Sequence, residues 1–335
     1  MNKINLMEVC GTHTHAIAKS GIKSILSKNI NLISGPGCPV CVTSQKDIDK
    51  AIWLASNEDV IFCTFGDMLK VPGSFTSLEK LNAEGKDIRV ILSAGDCIDI
   101  ALKHSEKIII FMAVGFETTS PTVAITILKA KELKIKNLKI FTSHKLIIPA
   151  IAKLLQDKDL KIDGFILPGH VSTIIGKKPY DFIAEKYKKA GVITGFSSED
   201  ILNGIKMLIS QIENNNFKIE IQYKRAVKEE GNPRAIEILY KVFEKCDCEW
   251  RGLGIIKNSG LKLKKNFKEF DAEIYFNIPE LKVKEQSGCI CGDILKGIKK
   301  PFECELFGTA CTPLKPVGPC MVSSEGTCSA YYRFS

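Results

Sequence analysis

The sequence predicts two parallel-sheet α/β domains followed by a small cysteine-rich unit. Three observations carry that expectation. Short β-branched apolar runs recur from residue 31 to about 195, each followed by a glycine- or proline-rich turn and an amphipathic stretch. The runs are continuously apolar rather than alternating, as strands covered on both faces are. Six of the thirteen cysteines (Cys289, Cys291, Cys304, Cys311, Cys320 and Cys328) crowd into the last 47 residues, among glycines and prolines. That segment has too few large apolar side chains to hold itself together by burial, so a disulfide, zinc or an iron–sulfur cluster must fasten it.

In chain order, strands are expected at 31–34, 60–64, 89–93, 108–114, 138–142, 164–167 and 192–194. A helix over 44–56 places Ile48, Ala51, Ile52 and Ala55 on one face. Ser120 followed by Pro121 predicts an N-cap and first-turn proline for a helix running to about 133. Residues 213–285 are polar and lysine-rich, with a helix near 234–245 and β-like runs after it. The division expected is a Rossmann-like α/β domain over 1–120 with Cys10 and the CPVC motif, a second over 121–245, and the cysteine-rich domain over 246–335.

Length and composition narrow the class. At 335 residues the chain suits two or three domains, and 45 % hydrophobic with 25 % charged residues is ordinary for a soluble protein. No apolar stretch reaches membrane-spanning length, and MNKINLMEVCGTHTH lacks a signal-peptide core, which predicts a cytoplasmic protein without a membrane partner. A reducing compartment favours metal or redox roles for cysteine over structural disulfides. The net charge of +9 does not make a nucleic-acid surface: of 47 basic residues only five are arginine, and the lysines spread along helix faces. Walker A, dinucleotide-binding glycine and HExxH patterns are absent from the sequence.

The reactive residue types gather in the turns, where ligands bind in parallel sheets. GPGCPVC, CTFGD, SAGDC, GFETTSP and PGHVS follow successive strands. Cys38-Pro39-Val40-Cys41 lies before a helix expected from about Thr43. Such a pair closes a small disulfide, binds a metal, or simply packs as two small apolar groups. Met7–His15 brings Cys10, His13, His15 and Glu8 together, the ligand types for iron or zinc, although a helix start with surface histidines reads the same. Glu117 and His170 are candidates for ligand orientation or proton handling, against helix capping and a satisfied structural histidine. Asp67, Asp96 and His144 are weaker candidates, and Cys63 and Cys97 read as packing residues. The tail lacks paired CxxC motifs, and its wide spacings suit loops wrapping a [4Fe–4S] cluster better than a zinc ribbon.

In order and wording, MEVCGTHTH, GPGCPVCVT, FGDMLKVPGS, GFETTSPT, PGHVS and PFECELFG…CTP…GPCMVSSEGTCSAYY resemble the HypD family of [NiFe]-hydrogenase maturation factors, from residue 7 to 333. The resemblance implies a scaffold on which the Fe(CN)2CO group of the hydrogenase is assembled. Its partners would be a HypC-type chaperone carrying iron and HypE as cyanide donor, itself supplied by HypF. By the same resemblance Cys10 is the principal ligand of the iron ion under assembly, and Cys38 and Cys41 are the redox-active pair beside it. The family's cluster spacing, Cys-x14-Cys-x6-Cys-x16-Cys, falls on Cys289, Cys304, Cys311 and Cys328, leaving Cys291 and Cys320 as alternatives. The rival function is a stand-alone iron–sulfur thiol–disulfide reductase, which requires an exposed CPVC motif.

Overall fold

Alternate residues of the central strands enter different cores, and this is why the apolar runs are continuous. The computed structural model describes residues 3–157, 159–284 and 287–334. In chain order the strands are β1 (Ile4–Glu8), β2 (Ile30–Ser34), β3 (Val60–Thr64), β4 (Ile88–Val90), β5 (Ile108–Gly115), β6 (Leu138–His144), β7 (Gly164–Pro168), β8 (Ala190–Thr194), β9 (Ile219–Ile221), β10 (Phe243–Trp250) and β11 (Gly254–Leu263). One parallel sheet has the order β2-β1-β7-β8-β9, the other β4-β3-β5-β6, and β10–β11 is an antiparallel hairpin. In β3 and β5, Phe62, Ile110, Met112 and Val114 face the large core shared by both sheets, while Ile61, Cys63, Ile109, Phe111 and Ala113 face a second core. In the first sheet Met7, Phe165, Leu167 and Ile193 join the shared core, and Leu6, Ile166 and Val192 pack beneath the outer helices.

The α/β expectation and all seven expected strands hold, with β1 and β9 added. The domain division at residue 120 does not coincide with a break between sheets. The helix Ser120–Glu132 joins β5 to β6 within one sheet. The chain leaves the first sheet after β2, builds the second sheet, and returns at β7 to pair beside β1. Asp163 Oδ2 accepts from the Asn5 backbone N–H at 2.8 Å where that return is made.

Local details differ as well. Ser120 is the first helical residue rather than the cap, because the preceding turn closes on Phe116, whose carbonyl accepts from Thr119 and Ser120 N–H. Leu54, not the half-buried Ile52, completes the inner face of the helix Gln45–Ala55. The helix expected near 234–245 is Pro233–Val242, and β10 begins directly after it.

The hairpin is tied to the segment after Cys41: Arg251 N–H donates to Val42 O at 2.9 Å, and its Nε donates to Thr43 O at 3.0 Å. The tail packs its terminal helix Thr327–Phe334 on the helix Gly11–Lys19, and its turn Pro319–Val322 on Pro39–Val42. Among the described residues no helix is long and apolar enough to cross a membrane.

Phe165 on β7 is fully buried in the shared core. Phe165→Ala is expected to lower unfolding stability by about 3–5 kcal/mol, read as a shift of the denaturation midpoint in guanidinium. A shift below ~1 kcal/mol would show that this core can collapse around the cavity.

Candidate functional site

The loops after β1, β2, β3, β5, β6 and β7 converge on a cavity of about 400 Å³ at the C-terminal edges of both sheets. Ligands bind at this edge because loops and helix starts meet there. Cys10, Pro39, Asp67, Thr118 and His170 line it, and Ser323 and Glu325 close it from the tail.

Two glycine-containing loops make the central contact. Gly35 N–H donates to Glu8 O at 2.8 Å, and Gly11 N–H donates to Gly37 O at 3.0 Å. A Cβ on Gly37 would collide with the Cys10 backbone nitrogen, so only glycine permits this approach. A Cβ on Gly11 would stand 3.2 Å from Cys38 Cβ, which places the Cys38 loop directly against the start of the Cys10 helix. Cys10 caps the helix Gly11–Lys19 by position, without a side-chain hydrogen bond. Burial pushes its thiol up to about 12. Glu8 holds the turn, accepting from Cys10 N–H at 3.1 Å and from Thr14 Oγ1 at 2.5 Å. Burial raises the Glu8 carboxyl to about 8.

Cys38 and Cys41 are joined as a disulfide, with Cα atoms 5.3 Å apart. The helix starts inside the motif, as the single turn Pro39–Val42, rather than at Thr43. Pro39 fits that first turn because it needs no N–H partner there. The pair is shielded, Cys38 being 4 % and Cys41 0 % exposed. Cys41 Sγ lies 3.9 Å from the Pro319 carbonyl oxygen. The next residue, Cys320, lines a second pocket.

That second pocket is walled by all six tail cysteines together with Ile294, Leu306, Phe307 and Met321. Val317 N–H donates to Cys311 Sγ at 3.3 Å, the kind of backbone donor that sulfur-ligated clusters use. Cys291 is held well below the ordinary thiol value by hydrogen bonds from Cys289 and Cys320, while Cys320 is pushed up by its contacts to Cys291 and Cys328. Thiols are the donor type a [4Fe–4S] cluster takes, and Cys289, Cys304, Cys311 and Cys328 all line this pocket, while among the described residues no three such side chains stand close enough together to hold a metal ion as placed. Cys291 and Cys320 line the same pocket as those four.

The other expected residues separate. His170 lines the cavity and stacks on Phe196 with ring centroids 4.0 Å apart; burial lowers its pKa. Glu117 stands behind the cavity wall, accepting from Ile147 N–H at 3.1 Å at the start of the helix Ile147–Gln156. His13 does not share the cavity with Cys10. Its Nε2 lies 2.9 Å from both Gly195 O and Thr194 Oγ1, and its ring stacks on Phe196. His15 Nδ1 meets Ser324 O at 3.0 Å and so anchors the tail. Asp96 caps its own turn through Leu92 and Ser93 N–H, and the imidazole of His144 is buried away from the cavity. Cys63 and Cys97 are fully buried, as packing residues are.

Glu325 is the cavity residue that sequence reasoning passed over. It accepts from Thr12 Oγ1 at 2.6 Å across 313 residues of chain. Its one local signal is its place between Cys320 and Cys328 in the tail motif. Asp67 is tied to the same segment by Ser323 Oγ, which donates at 2.7 Å.

The profile of the hydrogenase formation hypA family, HypD, matches residues 1–335. A putative hydrogenase expression/formation protein of Methanocaldococcus jannaschii is 46 % identical over 334 residues, covering 100 % of this chain and 93 % of its own length. Hydrogenase maturation factor HypD2 of Bradyrhizobium diazoefficiens is 47 % identical over 336 residues, with 98 % and 88 % covered. Hydrogenase maturation factor HypD of Escherichia coli is 42 % identical over 334 residues, with 99 % and 89 % covered.

Burial raises the Glu117 carboxyl from 4.5 to about 7, so near pH 6 the folded chain holds a proton that the unfolded chain releases. The resulting stabilisation is complete below about pH 4.5 and is lost as pH rises through 7. Glu117→Gln is expected to remove this component, at most about 3 kcal/mol, making the fall of stability between pH 4.5 and 7 shallower in denaturation curves while the Glu8 contribution remains. An unchanged slope over that window would mean that Glu117 is solvated in the folded chain.

Proposed function

The chain belongs to the HypD family, a family of hydrogenase maturation proteins, and on that premise we propose that it is the scaffold on which the Fe(CN)2CO group of a [NiFe] hydrogenase is assembled. The observation that carries the reading is the convergence of Cys10 with the Cys38–Cys41 loop at one cavity, backed by a pocket of six thiols one residue behind the disulfide.

The iron under assembly is the substrate. Cys10 ligates it, since a soft thiolate suits the electron-rich, low-spin Fe(II) that binds cyanide and carbon monoxide. Gly37, Gly66 and Gly115 line the cavity without side chains, so the backbone can approach bound diatomics closely. His170 lies at the rim, placed to take or give a proton. Opening the Cys38–Cys41 disulfide consumes two electrons and two protons and frees two thiols beside the loop of Cys10.

Cys289, Cys304, Cys311 and Cys328 would hold a [4Fe–4S] cluster, which would supply electrons one at a time. The tail residues Pro319 and Cys320 span the gap between that pocket and Cys41. The cavity between the sheets stays open for a HypC-type chaperone to deliver iron and for HypE, loaded by HypF, to deliver cyanide. Burial of Cys38 and Cys41 counts against a stand-alone thiol–disulfide reductase, whose substrate must reach the sulfur.

Two measurements test this. Protein prepared without oxygen is expected to carry about four iron and four acid-labile sulfide per chain and no zinc. One zinc without sulfide would overturn the electron-transfer part. Cys10→Ala and Cys41→Ala are expected to fold, judged by unchanged far-UV circular dichroism, and to yield no mature hydrogenase in cells lacking the native factor. Active hydrogenase from either variant would refute the assigned thiol roles.

A further inference from the structure

Away from both pockets, the hairpin carries a second pair of thiols beside a buried cation. Lys145 follows β6 directly, and its side chain is 0 % exposed. Its Nζ lies 3.3 Å from Asp47 Oδ2 and 2.9 Å from Cys248 Sγ. Asp47 Oδ2 also accepts from Ser143 Oγ at 2.9 Å. An ammonium group donates and never accepts, so Cys248 sulfur receives a hydrogen bond from a full positive charge. Burial dominates and leaves the Cys248 thiol above its ordinary value, and the Lys145 charge and hydrogen bond offset part of that rise.

Cys246 is the neighbour on the same strand, across a β-bulge that separates the two pairings Cys246–Gly260 and Cys248–Ile256. Gly260 leaves room for both sulfurs. A Cβ placed there would stand 3.0 Å from Cys248 Sγ and 3.3 Å from Cys246 Sγ, so the sulfurs are at most about 6 Å apart, the sum of those distances. Both thiols are partly exposed and within reach of a small molecule. The assembly chemistry proposed above uses neither.

We propose that Cys246 and Cys248 form a peroxide-reactive dithiol in which Lys145 activates Cys248 and Cys246 resolves it. Cys248 thiolate attacks one oxygen of hydrogen peroxide, the O–O bond breaks, and the departing hydroxide takes a proton to leave as water. Cys248 is then a sulfenic acid, oxidised by two electrons. Cys246 thiolate attacks that sulfur, an S–S bond forms, and the S–O bond breaks with loss of a second water. The net change is two thiols and one peroxide to one disulfide and two waters. Lys145 remains protonated beside Asp47 throughout.

The test uses the full-length protein prepared without oxygen, exposed to a few equivalents of hydrogen peroxide, alkylated and analysed by peptide mass spectrometry. The peptide bearing Cys246 and Cys248 is expected to resist alkylation and to weigh about two mass units less than its reduced form. In Cys246→Ser the sulfenic acid is expected at Cys248, trapped by dimedone. In Cys248→Ser the trapping at Cys246 is expected to be about tenfold slower, since Lys262 and Lys145 act on that sulfur through charge alone while burial pushes its thiol up to about 11. Lys145→Met is expected to slow the reaction of Cys248 by a similar factor. Both serine variants change half-exposed positions, so they carry the test even where Lys145→Met fails to fold. Full alkylation of both thiols after peroxide, or equal trapping at the two positions, would overturn the proposal.

Discussion

The structure depends on the contact between two backbone turns, Glu8–Gly11 and Gly35–Gly37. Parallel neighbours β1 and β2 end side by side, and their following loops press together with N–H and C=O groups paired. Any side chain at Gly37 would occupy the space of the Cys10 backbone. Hydrogen-bonded backbone at this distance leaves Cys10 and Cys38 no alternative but to lie in adjacent loops. The thiol arrangement is therefore set by strand pairing and glycine, and not by attraction between the cysteines.

A second constraint is dryness. The Cys38–Cys41 pair is shut beneath the tail turn Pro319–Val322, and the six tail thiols share an apolar pocket on the other side of that turn. Cys38, Cys41 and four of the six tail cysteines are buried, which strengthens each polar contact near them, while Cys289 and Cys304 remain partly exposed. The tail cannot fold by its own burial. It borrows the first sheet instead, laying its terminal helix on Gly11–Lys19 and its Glu325 on Thr12. The cysteine-rich unit thus closes the cavity that its own pocket serves.

The histidines show what separates a reactive residue type from a reactive position. His13, His15, His144 and His170 all follow or flank strand ends, yet only His170 lines the cavity. His13 and His170 sandwich Phe196, each stacked on that ring, so one aromatic side chain sends one imidazole inward and the other to the rim. Glu117 illustrates the converse. Its buried carboxyl accepts from the Ile147 N–H at the start of Ile147–Gln156, a contact 30 residues along the chain that the capping alternative read at Ser120 did not anticipate.

The amino-acid sequence by itself determined the parallel-sheet class, seven of its strands, the turns that bear the chemistry and the cysteine-rich tail. Those are local matters: runs of β-branched residues, glycine and proline at turns, and fixed cysteine spacings in CPVC and the tail. Only the tertiary structure decided that β1 pairs with β7, that the second sheet is inserted within the first, that Glu325 meets Thr12, and that Lys145 meets Cys248. Each of these joins residues over a hundred positions apart. Periodicity within a window carries no trace of which distant strand supplies the other half of a contact, because burial rewards any apolar partner and the choice falls to global packing.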